Sequence, residues 1–139
     1  MLTVLIHSLG DVTVFRCTGR ITSDTTECLR KAVVDQPHMR TAVLDLEQIG
    51  AIDAAGLGTL LSLRSWAQNN GRKFKLMNLL PRVRRILDLT HLEPAFDVCT
   101  AQEMLDLLCR ASAQSNFQVP AEVVELSARS AGHNAARSC

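Results

Sequence analysis

The sequence predicts an α/β fold, in which helices cover a mixed sheet. Three observations carry that prediction. Short apolar and β-branched runs alternate with runs of helical period in the order ββαβαβαβα, the connections between them are short, and one central strand is apolar almost throughout.

Leu2 to His7 and Val12 to Cys17 read as two strands, with Gly10 and Asp11 supplying hairpin chemistry between them and Gly19 stopping the second. Thr25 to Gln36 carries Cys28, Leu29, Ala32 and Val33 at helical spacing, with Asp24 as N-cap, Glu27 completing a capping box and Pro37 blocking continuation. Thr41 to Leu46 is a near-continuous apolar strand, the pattern of a strand covered on both faces. Ala55 to Gln68 is a second helix, dense with Leu57, Leu60, Leu61, Leu63 and Trp66, and Asn69-Asn70-Gly71 ends it. Lys73 to Leu79 alternates as a strand. Pro81 opens a short helix through Leu89 with Val83, Ile86 and Leu87 inward. Phe96 to Cys99 is a last short strand, and Thr100 to Glu103 opens a final helix with a capping box and a buried stripe of Met104, Leu105 and Leu108. From Ser112 the composition shifts to Ala, Ser, Asn and Gln. One domain over residues 1–111 is therefore expected, followed by a C-terminal extension over 112–139 that is helical at Pro120 to Arg129 and frayed from Ser130 to Cys139.

Composition narrows the function. Fifteen basic residues against fourteen acidic ones leave a formal charge of +1, which calls for neither nucleic acid nor an anionic membrane. Arg82, Arg84 and Arg85 form a local basic cluster without the aromatics on which bases stack. Five cysteines without a C-x-x-C pair, and scattered His7, His38, His91 and His133, give no metal-ligand spacing. The cysteines read as free thiols of a reducing compartment. The N-terminus lacks a basic region ahead of its few apolar residues, and no run approaches the length of a membrane span, so a cytoplasmic protein is expected.

The informative stretch is Val43-Leu-Asp-Leu-Glu-Gln-Ile-Gly-Ala-Ile-Asp-Ala-Ala-Gly-Leu-Gly58. A buried strand runs into a loop, and Asp53 stands at the N-cap of a helix, accepting from the amide of Ala55 or Gly56 and complementing the positive helix end by about 0.3–1 kcal/mol. Gly56 and Gly58 lie in the first turns, where glycine costs about 1 kcal/mol against alanine. They point to close backbone approach, either to the sheet beneath or to a partner above. A phosphate-binding turn fails on the missing third glycine and the missing lysine, so no cofactor is expected.

The strings LDLEQIGAIDAAGLGTLL, NNGRKFKLMNL, PRVRRILDLTHLEPAFDV and GRITSDTTECLRKAV together resemble the STAS family, across Leu2 to Arg110. The resemblance implies a mixed sheet of four to five strands flanked by about four helices. It also implies the role of an anti-sigma-factor antagonist in partner switching, with a serine-kinase-like anti-sigma factor as partner. In typical antagonists the loop reads D-S-S-G-L-G and its first serine is phosphorylated. Here Asp53, Gly56, Leu57 and Gly58 match, but Ala54 and Ala55 replace both serines, so the phosphorylation-equivalent position, Ala54, has no hydroxyl. Added phosphate there would repel a partner surface shaped for a neutral loop. A form that binds permanently, or one regulated elsewhere, is expected. The partner-binding residues the resemblance implies are Arg20, Thr22, Ser23 and Asp24 of the first turn, with Asp53, Ala54, Ala55, Gly56, Leu57 and Gly58 of the second loop.

A structural STAS subunit of a signalling assembly or membrane transport complex is the alternative, and loss of both serines favours it. An enzyme is not expected, because no nucleophile, base and orienting group assemble. Monomer and dimer are both compatible with the sequence.

Overall fold

A computed structural model describes residues 1–36, 38–114 and 136–138. β1 (Leu2–Leu9) and β2 (Val12–Ile21) form the hairpin, antiparallel from Leu2 opposite Gly19 to Leu9 opposite Val12. α1 (Thr26–Val34) then crosses to β3 (Thr41–Ile52), which lies parallel to β2. α2 (Ala54–Asn69) leads to β4 (Lys73–Met77), parallel to β3. α3 (Pro81–Leu89) and a 3-10 turn at Glu93–Ala95 lead to β5 (Asp97–Cys99), parallel to β4, and α4 (Ala101–Gln114) follows. These five strands and four helices are the architecture expected. A sixth strand, β6 (Ala136–Ser138), pairs antiparallel with Thr3 to Leu5, giving the order β5-β4-β3-β2-β1-β6. These three residues were expected to fray; instead they supply backbone partners along the outer side of β1. The helix expected at Pro120 to Arg129 lies outside the described residues.

The alternating sides of the strands divide the core. Phe15, Ala42, Leu44, Phe74 and Leu76 face α1, α2 and α3, packing with Leu29, Val33, Leu60, Leu63, Val83 and Leu87. Val12 and Val43 face the other way and pack with Met104 and Ala111 of α4. β3 is therefore covered on both faces, as its apolar run predicts. Each fully buried Leu or Phe contributes about 1.5–3 kcal/mol relative to leaving it exposed. Leu105, expected in the buried stripe of α4, is 56% exposed because only Met104, Leu108 and Ala111 turn toward the sheet.

Gly19 does not stop β2. Its φ of +118° sits among register shifts between Arg16 and Thr18 and between Gly19 and Arg20, and the strand bulges and continues to Ile21. The carboxylate of Asp45, buried opposite this region, accepts from the Glu47 amide at 3.1 Å and from Asn78 Nδ2 at 3.2 Å, with Arg16 Nε 3.8 Å away. That network supplies the partners a buried charge needs.

The capping box at Asp24 does not form. Thr25 is the N-cap of α1 and makes no side-chain cap bond. Its buried hydroxyl lies 3.0 and 3.2 Å from the carbonyls of Arg20 and Thr22 and accepts from the Thr22 amide at 2.9 Å, so the turn closes one residue later than the sequence suggests. At α4 the expected cap is present, the Glu103 amide donating to Thr100 Oγ1 at 3.2 Å; the Glu103 carboxylate meets the Thr100 hydroxyl rather than a backbone amide.

Cys17, Cys99 and Cys109 are free thiols, but Cys28 is disulfide-bonded, which corrects the free-thiol reading at that position. Burial, with the Asp45 charge adding to it, pushes the Cys17 thiol up from 9.0 to about 12. The folded protein keeps this thiol neutral while the unfolded chain ionises it. The stabilisation is complete below the unfolded value and is lost as pH rises toward the folded one, about 1 kcal/mol of it between about pH 8 and pH 10. Urea titrations at those two pH values should show a correspondingly smaller alkaline loss for Cys17→Ala than for wild type.

Candidate functional site

The bulged continuation of β2 and β3 places two loops side by side. Ile21 and Ile52 pair at the carboxyl ends of the parallel strands, and each strand opens directly into a loop. Ligands of α/β sheets bind off this end of the strands. The first loop is the Thr22 to Thr25 turn, closed by the Thr25 amide donating to the Thr22 carbonyl at 2.9 Å. The second is Asp53, the extended N-cap of α2.

Asp53 joins them. One carboxylate oxygen accepts from the Gly56 amide at 2.8 Å and caps the helix, as expected; the other accepts from the Ser23 amide at 3.1 Å. Its own amide donates to the Ile21 carbonyl at 3.3 Å. The link to Ser23 spans thirty residues of sequence, and no local pattern announces it.

The two glycines serve different purposes. A Cβ on Gly56 would lie 2.1 Å from the Ile21 carbonyl oxygen and 3.0 Å from Ile52 Cγ2, so this glycine permits close approach of α2 to the sheet. A Cβ on Gly58 would meet nothing within 4 Å. Gly58 is exposed, together with Ala54 and Ala55. Leu57 is 7% exposed and packs in the core, because the helix turns it and Gly56 toward the sheet while Ala54, Ala55 and Gly58 face outward. Of the residues assigned to the partner surface, Leu57 and Gly56 therefore lie beneath it, and Ala54, Ala55 and Gly58 form its floor.

Around that floor, Arg20, Ser23 and Asp24 are exposed and Thr22 is half-buried. The Thr22 hydroxyl donates to Asp24 Oδ1, and this bond, the turn amide of Asp24 itself and the nearby Arg20 charge hold the Asp24 carboxyl below its usual range. The Thr59 hydroxyl donates back to the Ala55 carbonyl at 3.1 Å within α2. From below, Arg82 of α3 donates to the Gly50 carbonyl at 3.3 Å, so a member of the basic cluster braces the end of β3, a use its charge pattern does not reveal. Among the described residues no three His, Cys, Asp or Glu side chains are grouped as a metal site, and no helix is long and apolar enough to cross a membrane. What remains is a small, nearly neutral plateau of methyls and backbone at a helix mouth, edged by Arg20, Asp24 and Asp53.

Solved structures share this fold. The anti-sigma factor antagonist SpoIIAA in its unphosphorylated form superposes with a TM-score of 0.63 at 18% identity, covering 83% of this chain and 99% of that one. An anti-sigma factor antagonist from Mycobacterium paratuberculosis gives 0.61 at 23% identity, over 78% and 94%. A sulfate transporter family protein from Wolinella succinogenes gives 0.61 at 14% identity, over 77% and 89%. The STAS domain family model matches residues 4–104. The chain belongs to the STAS domain family.

Proposed function

We propose that this chain is a non-catalytic regulatory binding module of the cytoplasm, an anti-sigma-factor antagonist in a partner-switching pathway that docks a serine-kinase-like anti-sigma factor and is not switched by phosphate at Ala54. One observation carries the reading: the Asp53 carboxylate ties the Arg20 to Asp24 turn to the mouth of α2, making one continuous surface whose centre, Ala54, Ala55 and Gly58, is exposed, small and without hydroxyls. Such a plateau suits close approach of a partner backbone and offers no group for chemistry. Likeness to solved antagonists supports the same reading.

A second reading, a structural STAS subunit of a signalling assembly or transport complex, is favoured by the missing hydroxyls and by likeness to the sulfate transporter family protein. Capture from native cells with tagged protein, beside an Asp53→Lys variant, separates the two. A kinase-like anti-sigma factor recovered with wild type and lost with the variant is the expected result. Transporter or scaffold subunits retained by both forms establish the second reading instead.

A further inference from the structure

At the end of the sheet opposite Asp53, a second polar surface surrounds the amino ends of β3 and β4. β3 has 12 residues, so at about 3.3 Å per residue roughly 35 Å separates the two ends. Arg40 immediately precedes β3, Arg72 and Lys73 begin β4, and Arg64 lies in the second half of α2. The amide of Lys73 donates to the Arg40 carbonyl at 2.8 Å, which holds the two strand starts together. Arg72 is fixed: its guanidinium donates to the Gln36 carbonyl at 3.0 Å and lies over the Trp66 ring, 5.0 Å from the centroid. Arg40, Arg64 and Lys73 make no ion pair among the described residues.

Two shallow concavities meet at Arg72. One, of about 330 Å³, is lined by Arg64, Lys73, Phe96 and Asp97; the other, of about 420 Å³, by His38, Arg40 and Asn70. Carboxylates border the surface at Asp11, Asp35 and Asp97, and Asp97 is already paired with Lys75. Cations thus stand on both sides of a fixed arginine, with the charge balance positive although the whole chain carries only +1.

We propose that this surface docks an acidic segment of a partner protein, laid across both concavities with carboxylates on Arg64 and Lys73 to one side of Arg72 and on Arg40 to the other. Nucleic acid is disfavoured because Phe74 and Phe96 are buried and Arg72 covers Trp66, so among the described residues no open Phe or Trp ring borders this surface for a base to stack on. The Asp53 surface lies at the other end of the sheet, so docking here leaves that surface open, and this inference does not depend on what binds at Asp53.

The test is a titration of the full chain with fluorescein-labelled decaglutamate at about 50 mM salt, where charges are weakly screened, followed by anisotropy and by amide NMR shifts. Saturable binding is expected, with shifts at Arg40, Gly71, Arg72 and Lys73. Arg64→Glu combined with Lys73→Glu should weaken it at least about tenfold, whereas Arg85→Glu combined with Arg110→Glu, an equal change of net charge elsewhere, should leave it within about twofold. Should the first pair not fold, as judged by thermal melting, Arg64→Gln with Lys73→Gln set beside Arg85→Gln with Arg110→Gln gives the same comparison. Absence of binding, equal losses in both pairs, or shifts centred on Arg82 to Arg85 would overturn the proposal. Inorganic pyrophosphate binding more tightly than the peptide at the same amides would overturn it in favour of a small phosphate ligand.

Discussion

Gly56→Ala is expected to lower the stability of the domain by about 3 kcal/mol, the upper range for forcing extra volume into a packed interface. The added methyl would stand 2.1 Å from the Ile21 carbonyl oxygen, and the obstacle is backbone rather than a side chain able to rotate away. The collision also falls on the strand end that accepts the Asp53 amide, so relief by shifting α2 outward would pull Asp53 from Ile21 and Ser23. Gly58→Ala, two residues on, should do the opposite and stabilise by about 1 kcal/mol, because its methyl meets open space and alanine is the better helix former. Urea unfolding of the two variants beside wild type checks both signs. Equal destabilisation by both would mean that helix propensity and contact with the sheet have been wrongly separated.

Ala54→Asp should leave folding almost untouched and remove partner binding. The position is exposed at the first turn of α2, where a negative side chain is favoured by the helix dipole, so stability should stay level or rise by about 0.5 kcal/mol. The same charge would stand beside Asp53 at the centre of the proposed contact, and like-charge or desolvation costs at an interface readily reach a hundredfold in affinity, about 2.7 kcal/mol. Thermal melting and a binding titration against the captured partner give the two readouts. Retained affinity in a stable Ala54→Asp variant would place the contact elsewhere on the domain.

The fold was legible in the sequence to the extent that local period and burial agree. β3 announced itself through an apolar run because both of its faces are covered, and α3 through Pro81 and its inward Val83 and Leu87. The misreadings share a cause: each required knowledge of a distant partner. Asp24 carries the right residue type for a cap, but the buried Thr25 hydroxyl takes the turn. Gly19 has the composition of a stop, yet a bulge against β3 absorbs it. Leu105 fits a helical stripe, but the helix meets the sheet only along its neighbours. β6 is too short to have a period of its own and exists through pairing with β1.

The candidate site divides the same way. Asp53 as a cap was readable, since the cap and the amide it serves are three residues apart. Its second bond, to Ser23, was not, and neither was the difference between Gly56 and Gly58, which depends on where the Ile21 carbonyl lies.

The bridge from Asp53 to the Ser23 amide has a further consequence for recognition. Two separate loops would each have to be ordered when a partner arrives, at a cost in conformational entropy that subtracts from affinity. Here one carboxylate, a shared strand end and a closed turn fix the loops relative to each other when the chain folds. At the proposed contact a partner would therefore meet a preorganised shape, and association would be close to rigid-body docking in which the loops' loss of freedom has already occurred. Loosening that bridge would weaken binding even at residues the partner never touches.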